Sequence, residues 1–174
     1  MESFTGSLAG QAVDLLRHHE LTITTVESCT GGGVVNAITN IPGASEVLQR
    51  AFVVYSNGAK IDMGVPVETI REYTVYSMQT ALAMARAGLQ VALEADISVG
   101  ITGSISRVDP ANTQNSVPGR IYIAVVGVKS GIQITRQREH DFSDQGDREK
   151  IKEAAIQAAL KMINAVILDI ADLQ

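Results

Sequence analysis

From Leu8 to His19 the apolar residues Leu8, Ala12, Leu15 and Leu16 recur at helical spacing, which predicts a helix. The pattern then changes to the β-branched run LTITTV, 21–26, which predicts a strand. A second helix is expected from Gly31 to Thr39, beginning among the glycines of ESCTGGG and interrupted by Pro42 and Gly43. RAFVVYS, 50–56, is nearly continuously apolar, as expected of a strand covered on both faces. NGAKIDMG leaves it as a short or helical turn, and Pro66 opens a short helix over Val67–Tyr73. Ser77 suits the N-cap of a helix running to about Leu93. DISVGITG, 96–103, is a third strand ending in a glycine turn.

The next segment, SISRVDPANTQNSVPG at 104–119, is rich in Ser, Asn, Asp and Pro and reads as a long loop of functional character. RIYIAVVGV and GIQITRQREH then form a hairpin. Its first arm is apolar on both faces and so central; its second alternates and so forms an edge. GDREKIKEAAIQAALKMINAVIL closes the chain as an amphipathic helix to about Leu168. Helices alternating with strands, followed by a hairpin, predict a three-layer α/β/α sandwich: one domain, 1–174, with a mixed, mostly parallel sheet of about five strands. The pattern does not give the strand order.

Composition narrows the function classes. The chain has 174 residues and a net charge of −5, with Lys and Arg scattered, which argues against a nucleic-acid surface. One cysteine cannot form an internal disulfide, and no Cys/His spacing suggests a metal site. MESFTGSLAG lacks the basic start and apolar core of a secretory leader, and no apolar run suggests a membrane span. A cytoplasmic location is the resulting expectation.

Three strands end in unusual residues: Ser28-Cys29-Thr30-Gly31-Gly32, Tyr55-Ser56-Asn57 with Lys60 beyond, and Thr102-Gly103. If the strands are parallel, these ends share one edge, where open α/β sheets bind ligands. A helix starting at Gly31 offers backbone N–H groups to a phosphate or to an oxyanion, although three glycines also suit a plain strand-to-helix turn. No Gly-Lys-Ser/Thr follows, so this is not a Walker loop.

Ser28 needs a base. His18 and His19 close the first helix and His140 lies late on the edge strand, so a Ser-His-Asp triad has poor support. Lys60 is the alternative, since burial can lower a lysine from roughly 10.4 by about 3 units; at this spacing it also suits a solvated surface lysine. The Tyr55 hydroxyl is a candidate to align such a pair. Cys29 is a rival nucleophile at a helix start, or a small core residue. Glu27 is a supporting acceptor or simply the last strand residue. Arg148, after Asp147 at the start of the last helix, suits either a forked phosphate contact or solvent.

Taken together, these stretches resemble the CinA C-terminal family, the nicotinamide-nucleotide amidohydrolases. VESCTGG is similar to the family's Ala-Glu-Ser-Cys-Thr-Gly-Gly, and IPGASEVLQRAFVVYSNGAK to its Pro-Gly-Ser-Ser and Phe-Val-x-Tyr-Ser-Asn-x-Ala-Lys run. MGVPVETI, SVGITG and GDRE match further blocks in order, from about Leu8 to Leu168. The resemblance implies an α/β/α domain that forms homo-oligomers and hydrolyses the carboxamide of nicotinamide mononucleotide to nicotinate mononucleotide and ammonia. It needs no metal and no cofactor. By position, Ser28 takes the nucleophile's role, Lys60 the base's and Tyr55 the supporting hydroxyl's. Thr30, Gly31, Gly32, Thr102 and Gly103 would line the pocket, and Arg148 would anchor the nucleotide. Two stretches depart from the family pattern. After Ile-Thr-Gly the family continues Ala-Gly-Pro into a glycine-rich stretch, here SISRVDPANTQNSVPG; and the family's Gly-Ala-Val-Ser is TVYS here, with the larger Tyr76. The first leaves a related amidohydrolase of another amide as an alternative; a second alternative is an inactive nucleotide-binding homologue that kept the fold.

Overall fold

The computed structural model describes residues 4–173. Met1–Ser3, where the leader reading begins, lie outside the described residues, as does Gln174. Five strands form one sheet in the order β2-β1-β3-β4-β5: β1 (Ile23–Glu27), β2 (Leu48–Val53), β3 (Ile97–Gly103), β4 (Arg120–Lys129) and β5 (Ile132–Asp141). The first three are parallel, and β4 and β5 run antiparallel to their neighbours. Helices α1 (Phe4–His18), α2 (Gly33–Thr39), α3 (Ala44–Val47) and α7 (Arg148–Ala171) cover one face. Helices α4 (Asn57–Met63), α5 (Val67–Tyr73) and α6 (Met78–Val91) cover the other. This is the expected mixed three-layer sandwich.

Strand alternation builds both cores. In β4, Ile121, Ile123 and Val125 pack toward α1 and α7, whereas Tyr122, Ala124 and Val126 pack toward α6. The α6 side is built from small residues so that the helix lies close to the sheet. At Gly100 a methyl group would come within 2.1 Å of the Ala81 carbonyl oxygen, so only glycine permits this approach.

Three expectations change. The apolar run at 50–56 does not make a strand covered on both faces. Strand β2 lies at the sheet edge with Val53 52% exposed, and the chain leaves it after Val53. Helix α3, before β2, was not apparent in the pattern, since four residues are too short to show a period. Finally, α7 is by length and composition apolar enough to cross a membrane. Half of its apolar stretch is buried, with Ile156, Leu160, Ile163 and Ile167 facing the sheet and α1, so its apolarity is used in packing.

Candidate active site

The parallel register brings the three strand ends together, with Glu27 opposite both Val53 and Ile101. Ser28 is the first residue beyond β1, and its N–H donates to the Ile101 carbonyl at 3.0 Å, which ties it to β3. Beyond β2 the chain turns at Val54–Ser56, and the Ser56 hydroxyl caps α4 by accepting from the Ala59 N–H at 3.1 Å. The turn after β2 is therefore a true helix, which sends the Lys60 side chain inward. Lys60 is 1% exposed.

The Lys60 ammonium nitrogen donates to Ser28 Oγ at 2.9 Å and to the carbonyls of Val54 and Tyr55 at 2.9 and 3.2 Å. Among the described residues no carboxylate lies within ion-pair distance of it. Burial pulls its pKa down to about 8, with Cys29 beside it acting in the other direction. Roughly a tenth of the molecules then carry a neutral amine at pH 7, able to take the Ser28 proton.

Cys29 behaves as a core residue. It is buried in the α1/α7 core, and burial pushes its thiol up to about 12, outweighing the nearby Lys60 charge. A thiol held protonated is a poor nucleophile. The histidines do not join the pair: His18 and His19 meet edge to face at the end of α1, and His140 stacks on Phe142. His140 lines a groove of about 760 Å³ between β5 and α7, larger than the Ser28 cavity but containing neither Ser28 nor Lys60.

The glycines act differently from the sequence expectation, and the reason is Glu27. Its fully buried carboxylate accepts from Thr30 Oγ1 at 2.7 Å, from the N–H groups of Gly32 and Val34 at 3.1 Å each and from that of Val35 at 2.9 Å. The N–H of Gly31 donates to the Ser28 carbonyl and that of Gly33 to the Thr30 carbonyl. Gly31 and Gly32 supply positive φ angles of 63° and 91° for the turn. The donors at the start of α2 are thus engaged within the protein, and Thr30, Gly31 and Gly32 do not line the cavity beside Ser28. The N–H groups of Cys29 and Thr30 have no backbone acceptor among the described residues.

That cavity, of about 480 Å³, is lined by Ser28, Lys60, Tyr55, Thr102, Gly103 and Arg148, all named from the sequence. Thr102 is also tied back to the Val75 carbonyl at 2.7 Å. Tyr55 contributes to the pair through its carbonyl, whereas its hydroxyl accepts from Arg148 at 3.4 Å and its side chain is 64% exposed. The structure adds lining residues that the sequence reading did not place here: Tyr76, Arg107 and Asp109. Tyr76 stood out only as a departure from a motif, and the other two lie in a loop whose path no periodicity reveals.

Fold and cavity together define an α/β protein with a buried serine-lysine pair at the carboxyl edge of a mixed sheet. Residues 5–167 match the model of the CinA C-terminal domain, and the chain belongs to that family. A protein named as competence-damage inducible in Caldicellulosiruptor bescii is 38% identical over 159 residues, 90% of this chain but 36% of that protein. The chain thus spans about a third of the length of such curated relatives. Among solved structures, a competence or damage-inducible protein from Enterobacter asburiae is 30% identical, with a TM-score of 0.82 over 95% of this chain and 99% of that one. A competence/damage inducible protein from Agrobacterium tumefaciens is 33% identical, with a TM-score of 0.78 over 92% and 94%.

Proposed function

We propose that this chain is an amidohydrolase that acts through Ser28 and Lys60 on the carboxamide of nicotinamide mononucleotide. The observation behind this reading is a buried lysine, without a carboxylate partner among the described residues, 2.9 Å from a serine hydroxyl that lines a cavity. The neutral Lys60 amine takes the Ser28 proton as Oγ attacks the amide carbon. The oxyanion is received by the N–H of Cys29, the residue next to Ser28 that also lines the cavity. The Lys60 ammonium returns its proton to the departing nitrogen, and ammonia leaves an acyl ester on Ser28. Water, deprotonated by Lys60, then cleaves the ester to the acid and restores Ser28.

The rest of the cavity suits a nucleotide. Arg107 and Arg148 supply guanidinium groups for a phosphate, and Arg148 is steadied by Tyr55 and by Ser106 Oγ at 3.2 Å. The test is ammonia release from nicotinamide mononucleotide. Ser28→Ala is expected to lose activity by roughly 10³-fold or more, and Cys29→Ala to keep most of it. The reverse pattern would assign the chemistry to the thiol, and no release by the wild type would remove the reading.

A further inference from the structure

Tyr76 and the 104–119 loop are the two stretches that depart from the family pattern, and the structure puts them in contact. The Tyr76 hydroxyl donates to Asp109 Oδ2 at 2.9 Å. The rest of Asp109 is also fixed. Its Oδ1 accepts from the Ala111 N–H at 2.9 Å, and its own N–H donates to Ser116 Oγ at 2.8 Å. Ser116 is fully buried and donates in turn to the Asn112 carbonyl at 2.7 Å. The carboxylate is therefore held at the wall of the Ser28 cavity by hydrogen bonds that leave it no rotamer to search.

Among the described residues lining that cavity Asp109 is the one acid, and Lys60, Arg107 and Arg148 are the bases. Among the described residues no cation lies within ion-pair distance of it. A carboxylate fixed in a cavity wall without a cation is a receptor for positive charge brought by a ligand. Two phenol rings, Tyr55 and Tyr76, line the same space, and aromatic faces also attract cations. The cavity thus offers two kinds of ground, guanidinium groups for an anion and a carboxylate with aromatic rings for a cation.

We infer that Asp109, positioned by Tyr76, is a specificity-determining residue that selects amides carried on a cationic ring over neutral ones. This rests on the amidohydrolase reading for its choice of ligand. Nicotinamide mononucleotide carries a pyridinium cation, and its reduced dihydropyridine form has the same amide, ribose and phosphate on an uncharged ring. The pair isolates one charge.

The experiment is calorimetric binding of both forms to the full chain bearing Ser28→Ala, with and without Asp109→Asn, alongside Tyr76→Phe. Ser28→Ala alone should bind the cationic form roughly tenfold more tightly than the neutral one, the effect of about 1.4 kcal/mol. Asp109→Asn, which keeps the shape, should bring that ratio close to one with little change for the neutral form. Tyr76→Phe should lower it partway, as it frees the carboxylate to turn. Equal binding of the two forms, a ratio unchanged by Asp109→Asn, or binding of neither form overturns the inference. Ammonia release by the wild type is read separately. Release without charge preference overturns this inference alone; charge-selective binding without release overturns the amidohydrolase reading alone.

Discussion

Replacing Lys60 with methionine is expected to abolish ammonia release and, at neutral pH, to stabilise the fold. The first effect follows from removing the proposed base beside Ser28, a loss of roughly 10³-fold or more where base and nucleophile act as a unit. The second follows from burial. The amine is held at about 8 in the fold against 10.5 for a free lysine, so between those pH values the unfolded chain binds a proton that the folded one does not. The stability contributed at this site therefore rises with pH through that window, and below about pH 8 the cost of a buried charge is present in full. That cost is about 3 kcal/mol at 1.36 kcal/mol per pKa unit. Methionine removes it but leaves the Val54 and Tyr55 carbonyls without their donor, a loss that offsets part of the gain. The Tyr55 bond is only part-buried, and with each carbonyl at the low end of its cost, about 1 kcal/mol, a net gain on the order of 1 kcal/mol at pH 7 remains. Urea unfolding at pH 7 and above pH 10.5 checks the sign: the variant should be the more stable at pH 7 and lose that advantage at the higher pH.

Glu27→Ala should have the largest effect on stability. Four donors converge on one buried carboxylate: the Thr30 hydroxyl and the N–H groups of Gly32, Val34 and Val35. Each donor left unsatisfied in a buried setting costs roughly 1–3 kcal/mol, so even with partial hydration a loss above about 3 kcal/mol is expected. Glu27→Gln should also destabilise the fold, because an amide offers one acceptor oxygen where Glu27 uses both. The same turn carries Ser28, so the damage reaches the proposed nucleophile. The denaturation midpoint and ammonia release should fall together, and an alanine variant within about 0.5 kcal/mol of wild type would contradict this account of the turn.

The strand ends were legible from the sequence because each interrupts an apolar run with polar or glycine residues. Ser28, Tyr55, Thr102 and Gly103 therefore fall on one edge once the strands are parallel. Lys60 was legible as a candidate but its burial was not, since that depends on Ser56 turning NGAKIDM into a helix that points one side chain inward. The glycines misled for a similar reason. A free helix start is a sound expectation from Gly-Gly-Gly, but whether its donors face a ligand depends on the neighbouring strand, and Glu27 at the end of β1 reaches them first. The edge position of β2 was hidden because Phe52, Val53 and Val54 look alike whether a strand lies inside or outside a sheet, and only the strand order decides. Arg107 and Asp109 belong to an aperiodic loop, where local sequence fixes turns but not the direction of the chain.

The pH dependence of kcat/KM for ammonia release from nicotinamide mononucleotide tests the serine-lysine mechanism most directly. With Lys60 as the base at about 8, the rate should rise about tenfold per pH unit below that value and level off above it. The Lys60→Met variant should show only a small residual rate without that step. A wild-type rate that stays flat or falls across this range, or a Lys60→Met rate that matches the wild type, would contradict the assignment of Lys60 as the base for Ser28.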